Sequence, residues 1–202
     1  MRRLVVLLFL VACGTSSTTT DTAGDGGTTD GGSGGSAPSP CAVTRAFVER
    51  CNGELNCGPA NYDAWCAKND TAVNSDAYRR AEAKCLPDVA CTAADRNDCE
   101  YKSYMTETPT AAQKALVEAY CKTCEPNDVS GCQTRSVTYV PGGKGEVSDI
   151  FIAAWELNDA LTDKVRAECT GGALDAGADP CDKAFASCAA GPYLDAVPDC
   201  PK

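Results

Sequence analysis

Cysteine is the residue type here with the widest chemical capacity, and the 202-residue chain holds 15 of them. A thiol can carry a lipid, close a disulfide, exchange with another disulfide or bind a soft metal, and spacing decides among these. The number is odd. Cys13 stands alone near the start, while Cys41, Cys51, Cys57, Cys66, Cys85, Cys91, Cys99, Cys121, Cys124, Cys132, Cys169, Cys181, Cys188 and Cys200 lie together in the remainder. Those 14 can form seven disulfides, which requires an oxidising compartment, and their pairing is left open by the sequence. Cys121-Lys122-Thr123-Cys124 has the spacing of a thiol-exchange site. That chemistry needs a thiolate stabilised at a helix N-terminus, whereas Cys121 closes a helical segment, where the dipole disfavours it. A structural role is expected.

Histidine is absent from the chain. Its absence excludes Ser-His-Asp and Cys-His nucleophilic catalysis and removes the commonest zinc ligand, so one C-x-x-C supplies no tetrahedral set. No cofactor is expected. Carboxylates are the remaining acid and base resource: Asp175, Asp179 and Asp182 flank a Gly/Ala loop, and Glu49, Glu54 and Glu118 recur on helical segments. In so acidic a domain these are expected to be solvated surface. Trp65, Tyr62, Tyr101, Tyr104 and Trp155 fall on helical patterns and are expected in the core.

The residues before Cys13 have the character of an export signal. Met1-Arg2-Arg3 is followed by an apolar run from Leu4 to Val11 and a small residue, Ala12. This run is far shorter than the ~20 residues a membrane-spanning helix needs. Leu10-Val11-Ala12-Cys13 resembles the lipobox of bacterial lipoprotein precursors. That resemblance implies cleavage before Cys13, a diacylglyceryl group on its thiol and acylation of the new amino end. With Gly14 rather than Asp next, it also implies the outer membrane, facing periplasm or cell surface. The resemblance covers residues 1–13 alone. Residues 13–40 carry the cysteine and then little but Gly, Ser, Thr, Asp and Pro; such a composition cannot bury enough apolar surface to offset its ordering entropy and is expected to be a disordered tether.

Residues 41–202 form the expected folded domain. Leu, Ile, Val and Phe make up 23 of its 162 residues, too few for burial alone to hold a charged chain together. Seven disulfides, typically worth ~2–4 kcal/mol each, can replace the missing core. The net charge is −10; losing Arg2 and Arg3 takes it to −12, and leaving out the three tether aspartates gives −9 for the domain. Nucleic acid is therefore not an expected partner.

The elements that must position these cysteines follow a rhythm. Helical segments are expected at 42–51, 76–85, 111–121 and 159–169, each ending in a cysteine, with Ala as the main helix former. The cysteines then fall into four triplets, Cys51/Cys57/Cys66, Cys85/Cys91/Cys99, Cys121/Cys124/Cys132 and Cys169/Cys181/Cys188, with Cys41 and Cys200 left at the ends. Thr108-Pro109 reads as an N-cap pair for the third segment, and Thr92 to Asp95 as a capping box. The apolar positions Ile150, Ala154, Leu157, Leu161 and Val165 predict one long helix or two abutting ones. The expected fold is all-α, a disulfide-rich bundle of six to eight short helices on a fourfold triplet repeat. Between Cys132 and Cys169, alternation over 136–140 and the turn cluster at 141–145 predict an inserted β-hairpin or loop. Arg135, Tyr139 and Lys144, cationic and aromatic on an acidic molecule, are its candidate interaction residues.

Two functions remain open. One is a lipid-anchored binding or structural module, held in the bilayer through acylated Cys13 and recognising an envelope or extracellular protein, peptide or polysaccharide. The other is a small extracytoplasmic enzyme or enzyme inhibitor using carboxylates or a labile disulfide.

Overall fold

The computed structural model describes residues 39–138, 149–171, 174 and 178–201. The signal, Cys13 and the tether lie outside them. The described chain is all-α: α1 (Pro40–Arg50), α2 (Tyr62–Ala72), α3 (Asp76–Cys85), α4 (Ala93–Tyr104), α5 (Ala111–Cys124), α6 (Val129–Ser136), α7 (Asp149–Glu156), α8 (Asp159–Cys169) and α9 (Ala178–Ala196). That is nine helices, above the six to eight expected, because α6 and α7 stand as separate short elements. None among the described residues is long and apolar enough to cross a membrane.

All 14 domain cysteines are paired, with Cα–Cα separations of 5.3 to 5.8 Å, within the unstrained range. Four bridges each staple one pair of consecutive helices: Cys41–Cys66 joins α1 to α2, Cys85–Cys99 α3 to α4, Cys121–Cys132 α5 to α6, and Cys169–Cys188 α8 to α9. The other three link units. Cys51–Cys91 ties the first pair to the second, Cys124–Cys181 the third to the fourth, and Cys57–Cys200 fastens the α1–α2 loop to the C-terminal tail.

This corrects the frame of the repeat. Cys41 is the first member of the first staple and no leftover, since a staple needs cysteines on two adjacent helices and Cys51 has already left α1 as its C-cap. Pairing of the first cysteine of a unit with its last then holds in all four units. The C-x-x-C residues take different partners and are buried, so they are no exchange pair. Both sit inside α5, which continues to Cys124.

Helix boundaries follow local chemistry. Ser75 and Asn158 cap α3 and α8 by accepting from Tyr78 N and Leu161 N, and Thr92 caps α4 through Asp95 N. Thr110, and not Thr108, caps α5, because only Thr110 has Gln113 three residues on to return the bond in a capping box. The apolar pattern from Ile150 to Val165 is two helices. Leu157 and Asn158 leave helical geometry between them to pair with the α2–α3 link: Leu157 and Asn74 form an isolated antiparallel bridge, with Ser75 N donating to Glu156 O at 2.6 Å and Asn158 N to Val73 O at 2.8 Å.

α7 has no staple of its own and packs against α3, α5 and α9, joining the two stapled halves. Its apolar residues split between two clusters. Ile150, Ala154 and Leu157 face Leu116, Val117, Leu161, Val165 and Phe185, with five buried cysteines among them. Phe151 and Trp155 face Tyr78, Tyr101 and Tyr104, where Phe151 meets Tyr101 edge-on at 5.4 Å. The five aromatic residues expected in the core are all buried.

The expected insertion begins later than its alternation implied. Gln133 to Ser136 complete α6, and Ser136 is buried beside the Cys121–Cys132 bridge. Of the alternating residues 136–140, Ser136 is the last of α6 and Val137 its C-cap. Residues 139–148, with Tyr139 and Lys144, lie outside the described residues, as does the hairpin itself.

Candidate acidic cleft

Arg135 is the one candidate interaction residue within the described chain. It sits in the last turn of α6, exposed, where its guanidinium donates to Asp128 at 3.0 Å and to Glu125. A helix end, and not a projecting loop, therefore carries it. Of the acids near the last Gly/Ala loop, Asp182 accepts from Tyr120 OH at 3.2 Å.

The described structure gathers its unusual chemistry elsewhere, where α3 and α4 meet α1 and α2. On α3, Tyr78 and Glu82 are one helical turn apart, and Tyr78 OH donates to Glu82 Oε1 at 2.9 Å. On α4, Arg96 and Glu100 have the same spacing, with Arg96 Nε donating to Glu100 Oε1 at 2.7 Å. Arg96 Nη2 crosses to Glu82 Oε1 at 3.1 Å, and its guanidinium lies 5.7 Å from the Phe47 ring centre. Glu82 and Glu100 are 4% and 5% exposed. The Cys85–Cys99 staple, three residues after Glu82 on α3 and next to Glu100 on α4, fixes the two helices at this distance.

Burial governs the protonation of this cluster. It pushes the Glu82 carboxyl up to about 8; Glu100 adds to the rise, while Arg96 and the Tyr78 hydroxyl oppose it. The same cause raises Glu100, against Arg96, and raises Glu156 well above the usual carboxylate range. Asp70 on α2 is raised by burial too, partly offset by the bond it accepts from Asn74 Nδ2 at 3.0 Å.

Beside Glu82 opens a cleft of about 50 Å³, lined by residues that include Asn69, Asp70, Tyr62, Trp65 and Arg96. Pockets for organic ligands run to ~300–1,000 Å³, so this one is too small for a sugar or peptide side. Asp70 Oδ2 lies 3.3 Å from Cys41 Sγ, and the sulfurs of Cys41 and Cys66 with Asp70 have the closeness of a metal cluster. The sulfurs are bonded to each other, however, and a disulfide offers neither a thiolate ligand nor a proton. No soft-metal site forms there.

Sequence reasoning did not single out Glu82, Arg96 or Glu100. Their i, i+4 spacings are visible in the chain, but only the staple's geometry shows that the two pairs face each other.

No family model, curated protein or solved structure matches the chain.

Proposed function

We propose that this protein is a bacterial lipoprotein whose acylated Cys13 anchors a disulfide-stapled helical module at the outer membrane, facing periplasm or cell surface. The observation that carries this reading is the completeness of pairing in the domain. All 14 of its cysteines find partners within it, so Cys13 is left over by the folded structure as well as by count. A spare thiol in an oxidising compartment is a liability unless it is modified, and the four residues ending at Cys13 resemble the sequence at which lipid is attached. The seven staples support the oxidising compartment that export implies.

The module binds or scaffolds an envelope or extracellular protein, peptide or polysaccharide, using the segment after α6 that holds Tyr139 and Lys144, with Arg135 at its base. The carboxylates beside Arg96 are the feature an enzymatic reading would need. Their cleft suits an ion or water better than a substrate, which places that reading second.

The test is Cys13→Ser in the full-length chain, expressed in a bacterium with a lipoprotein export route. The variant is expected to remain an uncleaved precursor and take up no label from radioactive fatty acid, while the parent chain is labelled and sediments with the outer membrane. Normal processing and labelling of the variant would overturn the proposal.

A further inference from the structure

Around the cleft beside Glu82 the buried carboxyl groups outnumber the guanidinium groups that face them. Asp70, Glu82, Glu100 and Glu156 are buried carboxylates. The buried guanidinium facing them is Arg96, bonded to Glu82 and Glu100; Arg79, half-buried nearby, pairs with Asp76. Burying a carboxylate without a counter-charge is costly enough that the group takes up a proton or finds a cation.

A second observation selects the cation. Asn69 is 4% exposed and lines the cleft, and its Oδ1 is buried with no hydrogen-bond partner. An amide oxygen so placed in a native fold calls for an ion or a water. Its neighbours offer oxygens that no donor satisfies. Asp70 Oδ2 faces a disulfide sulfur without a proton, and both bonds accepted by Glu82 fall on Oε1, away from Oε2.

We propose that this cleft is a binding site for one hard divalent cation of the size of calcium, held by side-chain oxygens of Asn69, Asp70 and Glu82. The donors are an amide and two carboxylates, with no imidazole or thiolate, which is the ligand chemistry of calcium and not of zinc or copper. About 50 Å³ admits an ion with a water or two. Three protein oxygens leave the remaining coordination to water, so affinity belongs with extracellular calcium modules, at ~10⁻⁴–10⁻³ M.

Titration calorimetry of calcium chloride into the full-length protein in mild detergent at pH 7 reads the binding. Saturable uptake of about one ion per chain is expected. Terbium should occupy the same site and emit through Tyr62 and Trp65, which line it, with calcium quenching that emission. Asp70→Asn, close to isosteric and still able to meet Asn74, and Asn69→Leu should each weaken calcium at least tenfold. Glu118→Gln, which alters an exposed acid paired with Lys122, should change nothing. Absence of saturable heat would overturn the proposal and leave a trapped water beside a protonated Glu82. Undiminished binding in Asp70→Asn would also overturn it, placing the ion on the acidic surface.

Discussion

Arg96 joins two buried carboxylates from neighbouring helices. Its guanidinium bonds Glu82 and Glu100 and covers the Phe47 ring, so removing it leaves two buried carboxylates facing each other. Breaking such a network by deleting one partner typically costs ~3–5 kcal/mol, and Arg96→Gln is expected to lower stability by about that amount in urea denaturation at pH 7. The carboxylates also set the pH profile. Glu82, Glu100 and Glu156 have folded-state values above those of the unfolded chain, so the folded state holds more protons and stability falls as pH rises above the ordinary carboxylate range, for Glu82 until about 8. Half-buried Glu107, lowered by its bond with Arg80, acts oppositely, but only below the ordinary carboxylate range. The metal-free protein should therefore melt at a higher temperature at pH 5 than at pH 8; the reverse order would mean that these carboxyls are ionised in the fold. At this scale the sequence was informative about residue type and uninformative about encounter. Arg96 and Glu100 could be paired by helical spacing, but nothing local announces that Glu82, 14 residues earlier, completes the set.

Ser75 shows how one residue joins two elements. Its hydroxyl oxygen accepts from Tyr78 N as the N-cap of α3, its hydroxyl donates to Trp155 O on α7, and its backbone N–H donates to Glu156 O. A cap alone is worth about 1 kcal/mol. Ser75→Ala also leaves a buried carbonyl without its donor, so a loss nearer ~2 kcal/mol is expected. Thr92→Ala, which removes the exposed cap of α4, should cost about half of that, and equal losses in equilibrium unfolding would show that the link to α7 contributes nothing. Helices were the most legible elements: the expected 76–85 and 159–169 coincide with α3 and α8, since both have a capping residue before them and a cysteine at the end. The start of α5 at Ala111 was expected, but its cap was misplaced because Thr108-Pro109 and Thr110-x-x-Gln113 are both acceptable openings, and only the second returns a bond. The break at Leu157 was not decided by periodicity, because its cause is a backbone pairing with Asn74, 83 residues away in the chain.

Among the described residues, the few aliphatic side chains are divided among four clusters, and seven bridges hold these together. The staples lock each helix pair, two links fasten pair to pair, and Cys57–Cys200, spanning 143 residues, returns the tail to the first loop. There Trp65 Nε1 donates to Pro198 O at 3.0 Å. An all-α, disulfide-rich fold was readable from alanine content, thin apolar composition and cysteine rhythm. The pairing was not, because 14 cysteines allow about 135,000 connectivities, and the repeat had been framed one cysteine late at its start. The central claim is a fully paired domain hung from a modified Cys13. The most direct test is the intact mass of the protein isolated from the cell envelope, alkylated under denaturing conditions without reductant. The mass expected is that of a chain beginning at Cys13, bearing acyl groups, lacking 14 hydrogens and carrying no alkyl adduct. A chain beginning elsewhere with an alkylated Cys13, or one with several alkylated domain cysteines, would contradict it.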